Sequence, residues 1–288
     1  MLQTEMVGDN FRLGFRFQRH WDVSMASAFY CGELGSGLFL VSMIYSFVAG
    51  LVLGLLITGV GKSLFHLAHM GVPGKSWRAI LRPDRSWISR GLVAIVGFCG
   101  AGTLHTIDVI LGVASPLAGA IELIAGAAAL VVMSYQGFAM GHSSAIALWN
   151  TAIMPVASLL YALTGGVILI LMLHGGSLAP HSVNHLVAMS FGLLLADVIM
   201  LVCMLHIAYH GSPGSRLSAQ LLISTLYAKW FHGLVIGAGI LLPMLVLWLG
   251  HESLGARAIA AAGVLAGFYA FRVLIFKAGV YDPVMTFI

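Results

Sequence analysis

Charged residues are scarce in this sequence. Only 8% of the 288 residues are Asp, Glu, Lys or Arg, whereas a soluble domain averages about a quarter. Hydrophobic residues make up 60% of the chain, and several apolar runs reach the length of about 20 residues that a helix needs to cross a bilayer. The alternating segments of about ten residues that mark a membrane β-barrel are absent. The composition therefore predicts an all-α integral membrane protein in contact with membrane lipid.

Cysteine is scarce too, and its arrangement excludes some cofactors. The three cysteines, Cys31, Cys99 and Cys203, all lie inside apolar runs, and neither Cys-x-x-Cys nor Cys-x-x-Cys-His occurs. We therefore expect no metal site, iron–sulfur cluster or covalently attached haem in this chain. The net charge of +4 is too small to indicate a nucleic-acid partner. Residues 1–22 lack an apolar signal core, so no cleaved secretory peptide is expected.

Hydropathy predicts eight transmembrane helices, with both termini on the same side of the membrane. One bent helix could replace the first two, but the stretch is about twice the length of one span. Pro155 is expected to kink the fifth helix. The predicted organisation is an N-terminal arm over 1–22, an eight-helix domain over 23–279 and a tail over 280–288. The eight predicted helices cover residues 23–44, 49–70, 92–113, 117–135, 145–173, 183–209, 227–249 and 258–278.

The N-terminal arm alternates arginine with phenylalanine. Arg12, Arg16 and Arg19 lie among Phe11, Phe15 and Phe17. Two interpretations stay open: a segment that lies on lipid headgroups, or a surface that docks a partner protein.

Basic residues collect on the side of the membrane that carries the termini, here called side A. By the positive-inside rule, side A faces the cytoplasm of a bacterial-type inner membrane. A basic loop that binds a partner would produce the same bias, so a periplasmic side A stays open. On the opposite side, here called side B, Arg257 is the only predicted cation. The side-A cations are Arg12, Arg16, Arg19, Lys75, Arg78, Arg82, Arg85, Arg90, Arg216 and Lys277.

Several ionisable residues lie inside the predicted helices on the side-A half. Lys62, His66 and His69 are spaced four and three apart, so they share one face of the second helix. Arg272 lies in the side-A half of the eighth helix. Ionisable groups at membrane depth are costly and indicate function, although Lys62 and Arg272 could instead extend toward the membrane surface.

A second ionisable set lies deeper in the membrane. Such residues could relay protons between side B and side A, or they could pair with one another and fix helix packing. The set comprises Glu33, His105, Asp108, Glu122 and Asp197.

Three chemistries suit histidines gathered in one leaflet. A quinone headgroup needs hydrogen-bond donors for its carbonyls and protons for its reduction, both of which histidine supplies near neutral pH. A haem b needs two facing axial histidines, for which His69 and His206 are one possible pair. An ion or proton transporter is the third, although no internal repeat of the kind found in many transporters is evident.

Motifs along the chain resemble the membrane-anchor subunits of the NrfD, polysulfide-reductase and dimethyl-sulfoxide-reductase type. That family ends its second helix with a His (or Asp)-Leu-Gly-Arg-Pro-like motif, followed by a basic-aromatic loop and a Ser-Trp-x-Ser-Arg start to the third. Val72 departs from the motif, which has arginine there, and Gly91 stands where the sulfoxide-reductase branch is acidic. The matching stretches here are His69-Met70-Gly71-Val72-Pro73 and Ser86-Trp87-Ile88-Ser89-Arg90; others are 29–37, 148–151 and 267–272.

The resemblance implies eight helices and a role in electron transport. Subunits of this type bind menaquinone or ubiquinone near the face where a ferredoxin-like iron–sulfur subunit docks, and that subunit serves a molybdenum- or tungsten-containing catalytic subunit. The resemblance implies no haem or iron–sulfur cluster in this chain. By this resemblance, the motif residues His69, Gly71, Pro73 and Lys75 lie on the quinone side.

Residues and resemblance together predict a quinone-reactive subunit of a respiratory oxidoreductase. The alternatives are a di-haem b membrane subunit and an ion or proton transporter. The predicted quinone-binding residues are His69, His66, Lys62, Gly71 and Arg272. The predicted proton pathway consists of Glu33, His105 and Asp108, and the predicted docking residues are Lys75, Arg78, Arg82, Arg85 and Arg90.

Overall fold

A computed structural model describes residues 14–112 and 116–282, and it confirms the all-α membrane architecture. Eight of its helices are long and apolar enough to cross a membrane. A shorter helix, α7 (Pro213–Ile223), lies between the sixth and seventh of them. The eight spanning helices are α1 (Val23–Ile44), α2 (Val48–His69), α3 (Trp87–Leu111), α4 (Ala118–Gly141), α5 (Ile153–Leu173), α6 (Pro180–His210), α8 (Ala228–Gly250) and α9 (Leu254–Lys277).

The two ends of the described chain meet at one end of the bundle. Strand β1 (Arg16–Phe17) pairs antiparallel with β2 (Val280–Tyr281). The side chain of Gln18 is buried and donates from Nε2 to the carbonyl of Phe276 at 2.8 Å. The last part of the N-terminal arm is therefore fixed to the bundle. The termini themselves, Arg12 and Phe11, and positions 283–288 lie outside the described residues.

Short polar side chains set where several helices begin. Asp22 accepts a hydrogen bond from the Met25 amide at the start of α1, and Ser86 does the same for the Ser89 amide at the start of α3. Such caps satisfy amide groups that lack a partner in the first helical turn. At its other end, α3 stops at Gly112, whose φ of 63° is a left-handed conformation that glycine adopts readily.

Helices α1, α5 and α9 form the centre of the bundle. Most of each is buried, whereas less than half of every other spanning helix is. Glycines let α1 and α5 approach closely, since a side chain at Gly37 would collide with the backbone of Ala162. Small residues at such crossings are typical of helix packing in lipid. The centre of the bundle is thus built from the first, fifth and eighth spans.

Three of the predicted helix boundaries are wrong by five residues or more. The fourth helix ends at Gly141 instead of Tyr135. The fifth helix begins at Ile153 instead of Ala145, so Pro155 lies in its first turn, where a missing amide costs nothing, and it kinks no helix. The third helix begins at Trp87, five residues before the predicted start, because Ser86 caps it. The division of the first long stretch into two helices is correct: α1 and α2 are separated by a turn in which Ser46 has a φ of 50°.

Helices α2 and α8 contain wide turns that the sequence did not predict. Residues Ile57–Lys62 of α2 and Phe231–Leu241 of α8 are π-helical. Between α2 and α3, a 3-10 helix (Pro73–Leu81) forms much of the side-A loop. Insertions of this kind frequently occur at functional sites, because they turn a side chain out of the regular helical pattern.

Candidate functional site

A buried ion pair joins α1 to α9 in the side-A half of the bundle. Arg272 donates from Nε to Glu33 Oε2 at 2.8 Å and from Nη2 to Glu33 Oε1 at 2.6 Å. The same Nη2 lies 2.9 Å from Ser158 Oγ on α5. Neither side chain of the pair is exposed. A two-pronged, charge-assisted bond of this kind holds both groups in one geometry.

Lys62 lies in the core of the bundle and does not extend toward the membrane surface. Its side chain is 1% exposed. Its Nζ donates to Gln136 Oε1 at 2.6 Å and to the carbonyl of Ala28 at 3.2 Å. The ammonium also faces the rings of Phe29, at 5.3 Å, and Tyr135, at 5.1 Å. Amide, carbonyl and aromatic faces thus replace water around this charge.

Local features of α1 and α2 make room for the lysine. Lys62 is the last residue of the π-helical segment of α2. On α1 it lies against Gly32, where a Cβ would be only 2.8 Å from the Lys62 Nζ. A glycine at position 32 is therefore needed for the ammonium to reach Gln136.

A cavity of about 390 Å³ opens beside this lysine, between α1, α2, α3, α4 and the 3-10 helix. Volumes of about 300–1,000 Å³ are typical of small-molecule sites. Trp77 and Ile88 on its wall are 59% and 50% exposed, so the cavity reaches the protein surface. Most of the wall is apolar, and it comprises Trp21, Met25, Phe29, Ser63, His66, Leu67, Met70, Ser76, Trp77, Ala79, Ile88, Leu92, Tyr135 and Ala139.

His66 is the histidine in the wall of this cavity. Its ring stacks on Phe29, with centroids 6.3 Å apart. Its Nδ1 is buried and has no hydrogen-bond partner in the described part of the chain. A buried polar atom without a partner is costly, and the ring that carries this nitrogen belongs to a residue of the cavity wall. Phe29 and Tyr135 separate the same cavity from the Lys62 ammonium.

His69 lies one turn further along α2 and binds a different partner. Its Nδ1 is 3.0 Å from Asp22 Oδ1, at the start of α1. Burial alone would raise the pKa of Asp22, but the hydrogen bonds from the Met25 amide and His69 and the attraction to the His69 ring outweigh it and leave the pKa below its ordinary value. The pair ties α2 to α1 at the side-A edge of the bundle.

A larger cavity of about 740 Å³ lies between α3, α4 and α5. Trp87, Phe138, His142, Asn150 and Pro155 are in its wall. It contains neither the motif histidines nor a residue that contacts Lys62 or Arg272. The smaller cavity is therefore the better candidate for chemistry that involves the buried charges.

Comparison with known protein families shows which family has this sequence. The family described as "Polysulphide reductase, NrfD" matches residues 16–282, which includes all eight spanning helices. The chain belongs to the NrfD family. The resemblance carried by the histidine, proline and tryptophan motifs is therefore confirmed.

One relative of this NrfD-family protein is a subunit of the polysulfide reductase of Wolinella succinogenes. The two proteins are 26% identical over 190 residues, a region that covers 63% of this protein and 60% of the relative. The matching region thus spans less than two thirds of the relative's length.

The structure separates the five predicted quinone-binding residues into three groups. His66 lines the cavity, and Lys62 lies behind two of its aromatic walls. Arg272 is bound to Glu33, and His69 is bound to Asp22. Gly71 is exposed, and a Cβ there would meet nothing within 4 Å. The role of all five residues in quinone binding remains a prediction.

Most of the predicted docking residues are exposed at the side-A loop of this NrfD-family chain. Lys75, Arg78, Arg82 and Arg85 are exposed. Arg90 instead folds back into the loop, where it donates to the carbonyls of Pro83 at 2.7 Å and Asp84 at 3.0 Å and stacks on Trp87.

The predicted proton-pathway residues do not form one cluster. Glu33 is held by Arg272, whereas His105 lies on α3 against the ring of Phe39. Asp108 lies one turn from His105, and its Oδ2 is buried without a partner in the described part of the chain. Within that part, the hydrogen bonds and the ion pair of Glu33 run to Arg272 and not to either α3 residue. The role of the three residues in proton transfer stays a prediction.

Three polar residues of the buried network were not in the predicted site. Gln136 bonds Lys62, Ser158 bonds Arg272, and Tyr135 faces both Lys62 and the cavity. Each is a polar residue inside an apolar run, and this was the one sequence feature that could have indicated a functional role. Their contacts with residues distant along the chain could not be predicted from spacing.

Proposed function

We propose that this NrfD-family chain is the quinone-reactive membrane subunit of an oxidoreductase. The observation that supports this most is the side-A cavity, whose largely apolar wall includes His66 with its unpartnered Nδ1. A quinone headgroup matches such a wall, since its ring is apolar and its carbonyl oxygens accept hydrogen bonds. His66 in its Nδ1–H form would donate to one carbonyl.

The buried polar network next to the cavity could supply the protons that quinone reduction consumes. Lys62 lies behind Phe29 and Tyr135, and it interacts electrostatically with Glu33 of the ion pair. Quinone reduction takes up two electrons and two protons, and quinol oxidation releases them. We propose His66 as the residue that exchanges a proton with the headgroup.

The electrons would come from, or pass to, a partner on side A. The exposed cations of the loop lie on, or just after, the 3-10 helix that contributes Ser76, Trp77 and Ala79 to the cavity wall. We propose that a ferredoxin-like iron–sulfur subunit docks there through acidic residues, and that it serves a molybdenum or tungsten catalytic subunit. Complementary charge of this kind guides and orients association.

Quinone binding to the purified full chain tests the proposal directly. Trp21 and Trp77 line the cavity, so titration with a water-soluble naphthoquinone should quench tryptophan emission saturably. His66→Phe keeps a ring against Phe29 and removes the donor. It should weaken binding about two- to tenfold, as expected for one lost hydrogen bond.

The matched control is His206→Phe, because His206 is exposed on α6 and packs against His210. It should leave the Kd unchanged, and His69→Phe measures the separate role of the motif histidine. Quenching that does not saturate, or equal Kd values for His66→Phe and the unmodified chain, would refute the cavity as the quinone site.

A further inference from the structure

Three hydroxyl side chains wind along the central helix α5. Ser158, Tyr161 and Thr164 are spaced three residues apart, so successive members are neighbours on the helix surface, each turned by about 60° around the axis from the one before. All three are at least 96% buried. Together they span seven residues, or about 9 Å along the helix axis. We call them the α5 hydroxyl row.

The two ends of the α5 hydroxyl row contact buried charged residues. At the side-A end, Ser158 Oγ accepts from Arg272 Nη2, and Arg272 is bound to Glu33. At the other end, Thr164 Oγ1 donates to Asp197 Oδ2 on α6 at 2.8 Å. The row therefore has the ion pair at one end and a carboxyl near the middle of the bundle at the other.

Two atoms in this region are buried and have no hydrogen-bond partner in the described part of the chain: the Tyr161 hydroxyl and Asp197 Oδ1. The Tyr161 ring is held by stacking on Phe268, with centroids 4.6 Å apart. Asp197, Glu33 and Arg272 are ionisable groups in the neighbourhood of this hydroxyl. A polar site with at least two such groups is the kind that binds an internal water molecule.

Asp197 differs from Glu33 in its surroundings. Glu33 has a guanidinium bonded to both oxygens, whereas the hydrogen bond to Asp197 comes from a neutral hydroxyl. An unpaired carboxylate in hydrocarbon is very costly, so the neutral acid is favoured there. An acid held in this way can give up its proton only where another group carries it away.

We infer that Asp197 is a proton-exchanging site within the membrane, and that protons reach it from the ion pair along the α5 hydroxyl row. On release, Asp197 Oδ1 gives its proton through one water molecule to the Tyr161 oxygen, the Tyr161 hydroxyl proton passes to Ser158 Oγ, and the Ser158 hydroxyl proton passes to the Glu33 carboxylate. Asp197 is then the carboxylate and Glu33 the neutral acid. Uptake is the reverse. Only O–H bonds form and break, no electron moves, and Tyr161 ends unchanged.

This route differs from the one predicted from the sequence, because it uses Asp197 and α5 instead of His105 and Asp108 on α3. It also does not depend on what fills the side-A cavity. The test of the proton route can therefore fail while the quinone proposal stands, and the quinone-binding test can fail while the proton route stands.

Infrared spectroscopy of the purified full chain in H2O and D2O tests the inference. A protonated carboxyl gives a C=O band that shifts when its proton exchanges for deuterium. We expect such a band to disappear in Asp197→Asn. In Tyr161→Phe the band should remain but exchange about tenfold or more slowly, since a proton carrier has been removed.

Tyr30→Phe is the matched control, because Tyr30 packs against the same Phe268 ring but lies outside the hydroxyl row. Its exchange rate should equal that of the unmodified chain. If Asp197→Asn does not fold, Thr164→Val identifies the band, because loss of the bond to Oδ2 must move its frequency. Absence of any band sensitive to position 197 or 164, or unchanged exchange in Tyr161→Phe, would overturn the inference.

Discussion

The buried pair of Glu33 and Arg272 should contribute strongly to stability, but only as a pair. Replacing Arg272 by Met leaves a carboxylate in the core without its two charge-assisted bonds, of 2.8 and 2.6 Å. Replacing Glu33 by Leu leaves a guanidinium with Ser158 and the Met140 sulfur as its neighbours. Each single change should cost about 3–5 kcal/mol in the free energy of unfolding, because it leaves one buried charge without its partner.

The double variant separates the pair's own contribution from the cost of an unpaired charge. Glu33→Leu with Arg272→Met removes both charges and restores an apolar contact between α1 and α9. Replacing a buried ion pair by apolar residues of similar size is often close to neutral. The double variant should therefore recover most of the stability that either single change loses, which gives a large coupling energy in the double-mutant cycle.

Equilibrium unfolding of the purified chain in mixed micelles would measure these differences. Trp21 and Trp149 pack together near the side-A end of α9, where Phe276 contacts both rings, so their emission reports on that region. The reasoning would be refuted if each single variant lost less than about 1 kcal/mol, as an exposed ion pair does. It would also be refuted if the double variant were as unstable as the sum of the two.

Two further predictions concern the cavity wall and the side-A loop. A Cβ at Gly91 would overlap the ring of Tyr135, so Gly91→Ala should lower the free energy of unfolding by about 1–3 kcal/mol and weaken naphthoquinone binding. Gly100→Ala on the same helix, where a Cβ meets nothing within 4 Å, should do neither. Equal effects of the two changes would contradict the packing argument. The exposed Arg78 and Arg82 should hold an acidic partner, so their joint change to Glu should abolish co-purification of an iron–sulfur subunit with a tagged chain, and their joint change to Lys should preserve it. Retention of the partner by the Glu variant would show that it docks elsewhere.

The packing of Gly91 also explains one departure from the family motif. The sulfoxide-reductase type carries an acidic residue at this position. Here the space is filled by the Tyr135 ring, which faces the Lys62 ammonium on one side and the cavity on the other. A larger residue at 91 would require Tyr135 to move, so glycine here and the position of Tyr135 depend on each other.

Charged groups within the helices show the limit of prediction from local sequence. The spacing of Lys62, His66 and His69 placed them on one face of a regular helix. The π-helical segment ends at Lys62 and the turns that follow it are regular, so the three residues keep this spacing. They nevertheless meet different partners: Gln136, the cavity and Asp22. Periodicity predicts the face of a helix on which a residue lies, and not the partner that another helix brings to it.

The sequence by itself determined the membrane class, the eight spans and the family, because each depends on local or linear properties. Apolar runs must satisfy their backbone hydrogen bonds internally in lipid, which makes them helices, and the motifs follow one another along the chain. Only the tertiary structure decided which charges pair. Glu33 and Arg272 are 239 positions apart, and Lys62 and Gln136 are 74 apart. In hydrocarbon a charge must find a partner wherever the packing of helices brings one, and that packing arises from the whole bundle and not from the neighbours of each residue along the chain.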